Sequence, residues 1–160
     1  MTDQRSLSVY LNDHLAGATG GVELFRRAAG GLSGPLGEEV ARLRDEAVED
    51  RRSLRSLMSR LEVRESAALV ALGWAGEKLG RLKPNGYVVR RSPLADVVEL
   101  EGMRLGTFGK LGCWRVLRGV ASYDDRISTA ELDALVARAE RQLARLDALH
   151  LQTARDRLQG

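Results

Sequence analysis

The sequence predicts an all-α protein, a single helical-bundle domain spanning residues 1–160. Two observations carry this. Apolar residues recur at alternating spacings of three and four along most of the chain, the mark of one buried helix face. Aromatic residues make up only 4% of the chain and there are 3 prolines, too little of both for a β-sandwich or barrel with its frequent turns. The length suits one core and is short for two ordinary domains. A count of 17 glycines is the discordant feature.

Five helical segments follow from the spacing. The first, Leu7 to Ala29, places Leu7, Leu11, Leu15, Ala18, Val22 and Phe25 on one stripe and stops at Gly30-Gly31. After Ser33-Gly34-Pro35, with proline suited to a first helical turn, the second runs from Pro35 to Leu61 on Leu36, Val40, Leu43, Ala47, Leu54, Leu57 and Leu61. The third, Ser66 to Leu82, is shorter and apolar on more than one side, and it ends at Lys83-Pro84-Asn85-Gly86. Tyr87 to Pro93 reads as an extended connection. The fourth segment, Leu94 to Val120, carries two apolar stripes, and the line from Leu94 and Val98 to Leu105 and Phe108, on which Glu101 falls, is the expected inward one. Ser128 with Glu131 makes a capping box that opens the fifth, which continues to Leu158 with Leu132, Leu135, Val136, Ala139, Leu143 and Leu146 inward. The expected architecture is four long helices in two antiparallel hairpins, about 35 to 45 Å tall, with the third segment as connection.

Composition excludes several classes of function. The net charge of +3 comes from 25 cations, 22 of them arginine, interspersed with 22 acids, which describes an ion-paired surface and no nucleic-acid face. A single cysteine, Cys113, rules out an intrachain disulfide framework or a thiolate metal cluster, and it reads as a packing residue. No signal-like segment follows Met1 and no long uncharged window occurs, so no membrane association is expected and the cytoplasm is the expected location.

Four ionisable residues fall on apolar stripes, one from each long helix: His14, Asp50, Glu101 and His150. Burying such a group alone costs several kcal/mol, so each needs a partner. His14 and Asp50 stand 18 residues either side of Leu32, and Glu101 and His150 stand 24 and 25 residues either side of Asp125. Equal heights predict two His–carboxylate pairs, His14 with Asp50 and Glu101 with His150. A metal site is the other use of such residues on facing helices.

In this architecture the chain resembles the ferritin-like superfamily, whose two hairpins hold a di-iron centre through a Glu and a Glu-x-x-His from each. Asp147-Ala148-Leu149-His150 approximates the second motif, Glu46 to Asp50 supply carboxylates, and Glu101 matches the single-Glu position. Glu23, the available Glu of the first helix, points about 140° from the stripe. The resemblance therefore implies a bundle without a complete di-iron site, no bound cofactor, and structural His–carboxylate pairs. Its alternative is an iron or manganese protein using Glu46, Asp50, Glu101 and His150 with His14 nearby.

Glycines recur at helical spacing in three segments: Gly17, Gly20 and Gly21; Gly73, Gly76 and Gly80; and Gly102, Gly106, Gly109 and Gly112. Each costs about 0.5 to 1 kcal/mol relative to alanine inside a helix, so the stripes need a compensating role. Close helix approach, with Trp74 and Trp114 filling the grooves, is one; a groove open to a ligand or partner is the other. Gly106 to Lys110 lacks the spacing of a phosphate loop. Lys83, Arg90 and Arg91 around Tyr87 form a small basic patch in the connection. The expected function is that of a non-catalytic interaction module, acting as a homodimer or on a protein partner.

Overall fold

A computed structural model of the chain describes residues 3–67 and 94–159, which form four helices and their short connections. The helices are α1 (Gln4–Gly31), α2 (Gly34–Arg60), α3 (Ala95–Val120) and α4 (Thr129–Leu158), and no strand occurs among the described residues. The expected third helix beyond Ala67, the extended connection, Trp74, Gly73, Gly76 and Gly80 and the basic patch around Tyr87 lie outside the described residues. No helix among those described is long and apolar enough to cross a membrane.

Local chemistry explains the helix ends. Asp3 caps α1, its carboxylate accepting from the Arg5 N–H (3.0 Å) and the Ser6 hydroxyl (2.5 Å). As the Gly30-Gly31 pair predicts, α1 ends at Gly31, its last turn closing when the Leu32 N–H donates to the Ala28 carbonyl (3.0 Å). Gly34 takes a positive φ of 62° in the turn. Gly37 then passes so near Leu32 that an added Cβ would lie 2.7 Å from its carbonyl oxygen. Gly37→Ala is therefore expected to lose about 1 to 3 kcal/mol in chemical denaturation despite alanine's better helix propensity, since backbone cannot yield as a side chain can. A stability equal to or above that of the parent would show the turn to be looser. At the start of α4 only half of the expected capping box forms: Ser128 accepts from the Glu131 N–H (3.4 Å), while the Glu131 carboxylate is gripped by Arg60 of α2 (2.7 and 2.8 Å).

Helix α1 packs along α2 and along α3, and α3 packs along α4, whereas α2 approaches α4 at few points. The helices meet through two apolar clusters. One joins Leu7, Leu11 and Leu15 to Leu54, Leu57, Leu111, Trp114, Leu117, Leu132 and Leu135; the other joins Phe25 and Ala28 to Val40, Leu43, Leu100, Met103 and Leu146. Buried Asn12 fastens the chain beyond α2 back onto α1. Its amide donates to the Ser8 and Arg64 carbonyls (2.9 and 3.0 Å) and its oxygen accepts from the Ser66 N–H (2.6 Å).

The stripes expected for α1, α2 and α4 are the buried ones. That expected for α3 is not: Val98, Leu105 and Phe108 are 53%, 74% and 63% exposed, and the core takes Val97, Leu100, Met103, Thr107, Leu111 and Trp114 instead. The two stripes of α3 are both apolar, and α1 and α4 cover the one that carries Trp114 and Met103. Glu101, on the outward line, is accordingly a surface residue.

Candidate functional site: a glycine-walled trench beside a buried ion network

Between the two apolar clusters lies a polar layer that sequence spacing identified only at Asp50 and Glu46. Asp50 is 2% exposed. Its carboxylate accepts from the Lys110 ammonium of α3 (2.5 Å) and from the Gln142 amide of α4 (3.0 Å), and it forms an ion pair with Arg138. Gln142 also donates to Glu46 (2.9 Å) and accepts from Lys110 (2.5 Å). Arg145 extends the ladder to Glu46 and to Glu39 (2.6 Å). Long side chains thus bridge α2 and α4 where their backbones stand apart, and charged hydrogen bonds replace apolar packing. Burial pushes the Lys110 ammonium below its ordinary pKa, and Asp50 opposes that shift. Signals for these partners existed: Gln142 stands between Ala139 and Leu146 at helical spacing, and Lys110 stands three residues after Thr107 and four before Trp114.

His14 is not the partner of Asp50, which corrects the first of the two expected pairs. Both residues line one cavity, but the Asp50 oxygens are occupied by the cations and amide above. The His14 ring instead meets Tyr10 edge-on, with centroids 4.5 Å apart and planes at 64°. Burial lowers its pKa below the ordinary value, against the pull of Asp13, so His14 is neutral at pH 7. The second pair does form: His150 Nε2 lies 3.1 Å from Glu101 Oε1, at the surface because α3 is rotated from the expected phase.

The five candidate metal residues are thereby divided. Glu46 and Asp50 join the ion network, His14 faces the cavity, and Glu101 and His150 pair on the far side of α3. Among the described residues no cluster of three or more His, Cys, Asp and Glu side chains could hold a metal ion. The donor set does not fit a di-iron or manganese centre: the positive charge beside Asp50 and Glu46 is supplied by Lys110, Arg138 and Arg145.

The cavity itself is walled by glycine. Gly17 and Gly21 of α1 face Gly102, Gly106 and Gly109 of α3, with Ala47, Asp50, Arg51 and Leu54 contributed by α2. Its volume is about 210 Å³, and Cβ atoms added at Gly17, Gly21, Gly106 or Gly109 would meet nothing within 4 Å. Of these wall glycines only Gly102 is a site of close approach, where a Cβ would lie 3.1 Å from Leu24 Cδ2. The expectation that bulky side chains fill the glycine stripes thus fails along α1 and α3: Trp114 lines the space without closing it. From Asp13 to Phe25 on α1, and from Gly102 to Trp114 on α3, the trench follows thirteen residues of helix, about 18 Å from first to last.

No protein-family model, curated protein or solved structure matches the chain.

Apolar side chains make up much of the trench lining. Val22, Phe25, Met103 and Trp114 give it apolar surface. Cys113, which also lines the trench, has its thiol pushed up to about 12 by burial, so it is protonated at neutral pH. A proton held to about pH 12 when folded and to 9.0 when unfolded stabilises the fold below pH 9, and this contribution is lost as pH rises through that window. Lys110, with its lowered pKa, acts with the opposite sign up to 10.5, so the cysteine is read by difference. The stability gap between the parent and Cys113→Ala is expected to narrow by about 1 kcal/mol from pH 8 to pH 10. An unchanged gap would place the thiol in water.

Proposed function

We propose that this chain is a non-catalytic, ferritin-like bundle of two antiparallel helix hairpins that works as a binding module, taking a slender apolar molecule into the trench between α1 and α3. The observation that carries the reading is the empty space at the wall: four helical glycines, each a cost to its helix, border open volume and touch no neighbour. A lone buried cysteine suits a reducing, cytoplasmic setting. Titration calorimetry with dodecanol tests it. Saturable uptake of one molecule per chain is expected, with loss of uptake in the folded Gly21→Leu/Gly106→Leu variant, whose side chains fill the trench. Absence of uptake by the parent, or equal uptake by the filled variant, overturns the reading.

The outward stripe of α3 favours a second reading, in which Val98, Leu105 and Phe108 pair with a second copy of the chain. Sedimentation would then show a dimer that Leu105→Glu/Phe108→Glu converts to monomer. A parent that stays monomeric at every concentration removes this reading.

A further inference from the structure

Resting on the trench reading, the distribution of charge along the trench says what its occupant carries. Arg51 of α2 lines the trench and is half-buried. It belongs to an arginine group whose other members are each tied to a carboxylate: Arg26 to Glu23, Arg52 to Glu49 (both on neighbouring helical turns) and Arg55 to Glu65 (3.3 Å). Among the described residues no carboxylate lies within ion-pair distance of Arg51, and among the largest charge effects on it Arg55, Arg26 and Arg52 act against Glu23. A half-buried guanidinium amid like charges is short of an anion.

The trench's other charges do not meet that need. Lys110 is already shared between Asp50 and Gln142, and Asp50 is held in turn by Lys110 and Arg138. Asp13 is exposed at the His14 end and carries the opposite sign, so a cationic ligand is the competitor to be tested. Thr107, a residue only 2% exposed, adds a hydroxyl-bearing side chain to the lining.

We propose that the trench binds a straight-chain aliphatic carboxylate, its chain lying between the glycines of α1 and α3 and its carboxylate paired with Arg51. The shape suits an extended chain: about 210 Å³ of space is distributed along about 18 Å of helix. The guanidinium offers two parallel N–H donors to a carboxylate, which a hydroxyl or an ammonium cannot use.

The test compares dodecanoate, dodecanol and dodecylamine below their aggregation thresholds, by calorimetry on the full chain and on Arg51→Met. Dodecanoate is expected to bind about tenfold more tightly than dodecanol, the value of one charge-assisted hydrogen bond at a partly exposed site. Arg51→Met should bring dodecanoate to the affinity of dodecanol while leaving dodecanol unchanged. Equal affinity of the acid and the alcohol in the parent overturns the carboxylate while the trench reading stands. Tighter binding of the amine overturns it in favour of Asp13. Failure of all three ligands overturns the trench reading as well.

Discussion

Replacing Asp50 with alanine is expected to lower the unfolding free energy by about 3 kcal/mol, measured by chemical denaturation at pH 7. The carboxylate is the point where three helices meet: Lys110 arrives from α3, and Arg138 and Gln142 arrive from α4. Its removal leaves two cations facing each other in a site that water barely reaches, and leaves the Gln142 amide with Glu46 alone. Arg138 is already under-satisfied, with its buried Nε lacking a hydrogen-bond partner, so it has no alternative nearby. The cost falls at the low end of the range for a broken buried ion pair because Lys110 and Arg138 keep 17% and 30% of their side-chain surface in solvent. Lys110→Met should cost less, about 1 to 2 kcal/mol, since Asp50 retains Arg138 and Gln142. The double variant should cost less than the sum of the two singles, because removing both charges leaves neither stranded. An Asp50→Ala protein as stable as the parent would mean that the network is not formed in solution.

The same network shows where a sequence stops being legible. The stripes of α1, α2 and α4 could be read because each has one dominant apolar side: on α1, Leu7, Leu11, Leu15, Val22 and Phe25 are all buried, and Val9 is the one large apolar residue left mostly exposed. Helix α3 has rivals. Leu94, Val98, Leu105 and Phe108 are as apolar as Val97, Leu100, Met103 and Leu111, and only the positions of α1 and α4 decide between them. That one rotation carried Glu101 from the core to the surface, and with it the Glu101–His150 pair, whose partners depended on height alone and were therefore right. Asp50 was recognisable as needing a partner, but height could not identify it. Lys110 reaches it on a long flexible stem, so the position of its Cα says little about where its charge ends. Helix spacing also located the glycines without saying what they faced, since a stripe of small residues looks the same beside a neighbouring helix and beside an open trench.

Converting Gly17, Gly21, Gly106 and Gly109 to alanine separates those two possibilities, and the four-alanine protein is expected to be more stable than the parent by about 2 to 4 kcal/mol. Each position lies inside a helix, where alanine is favoured over glycine by about 0.5 to 1 kcal/mol because the unfolded chain has less freedom to lose. None of the four added Cβ atoms meets an atom within 4 Å, so no clash offsets the gain. Gly102→Ala serves as the internal contrast: its Cβ would press on Leu24 Cδ2 at 3.1 Å, and its gain should be smaller than at any of the four. Were the glycines there to let α1 and α3 approach, the substitutions would force the helices apart and the protein would melt lower, which would sink the trench as a feature of the solution structure. A rise in stability coupled to a fall in affinity for an aliphatic ligand has one physical meaning. On that outcome the helices carry a cost of a few kcal/mol that their own packing does not require, and the space it leaves open is the space the proposed ligand fills.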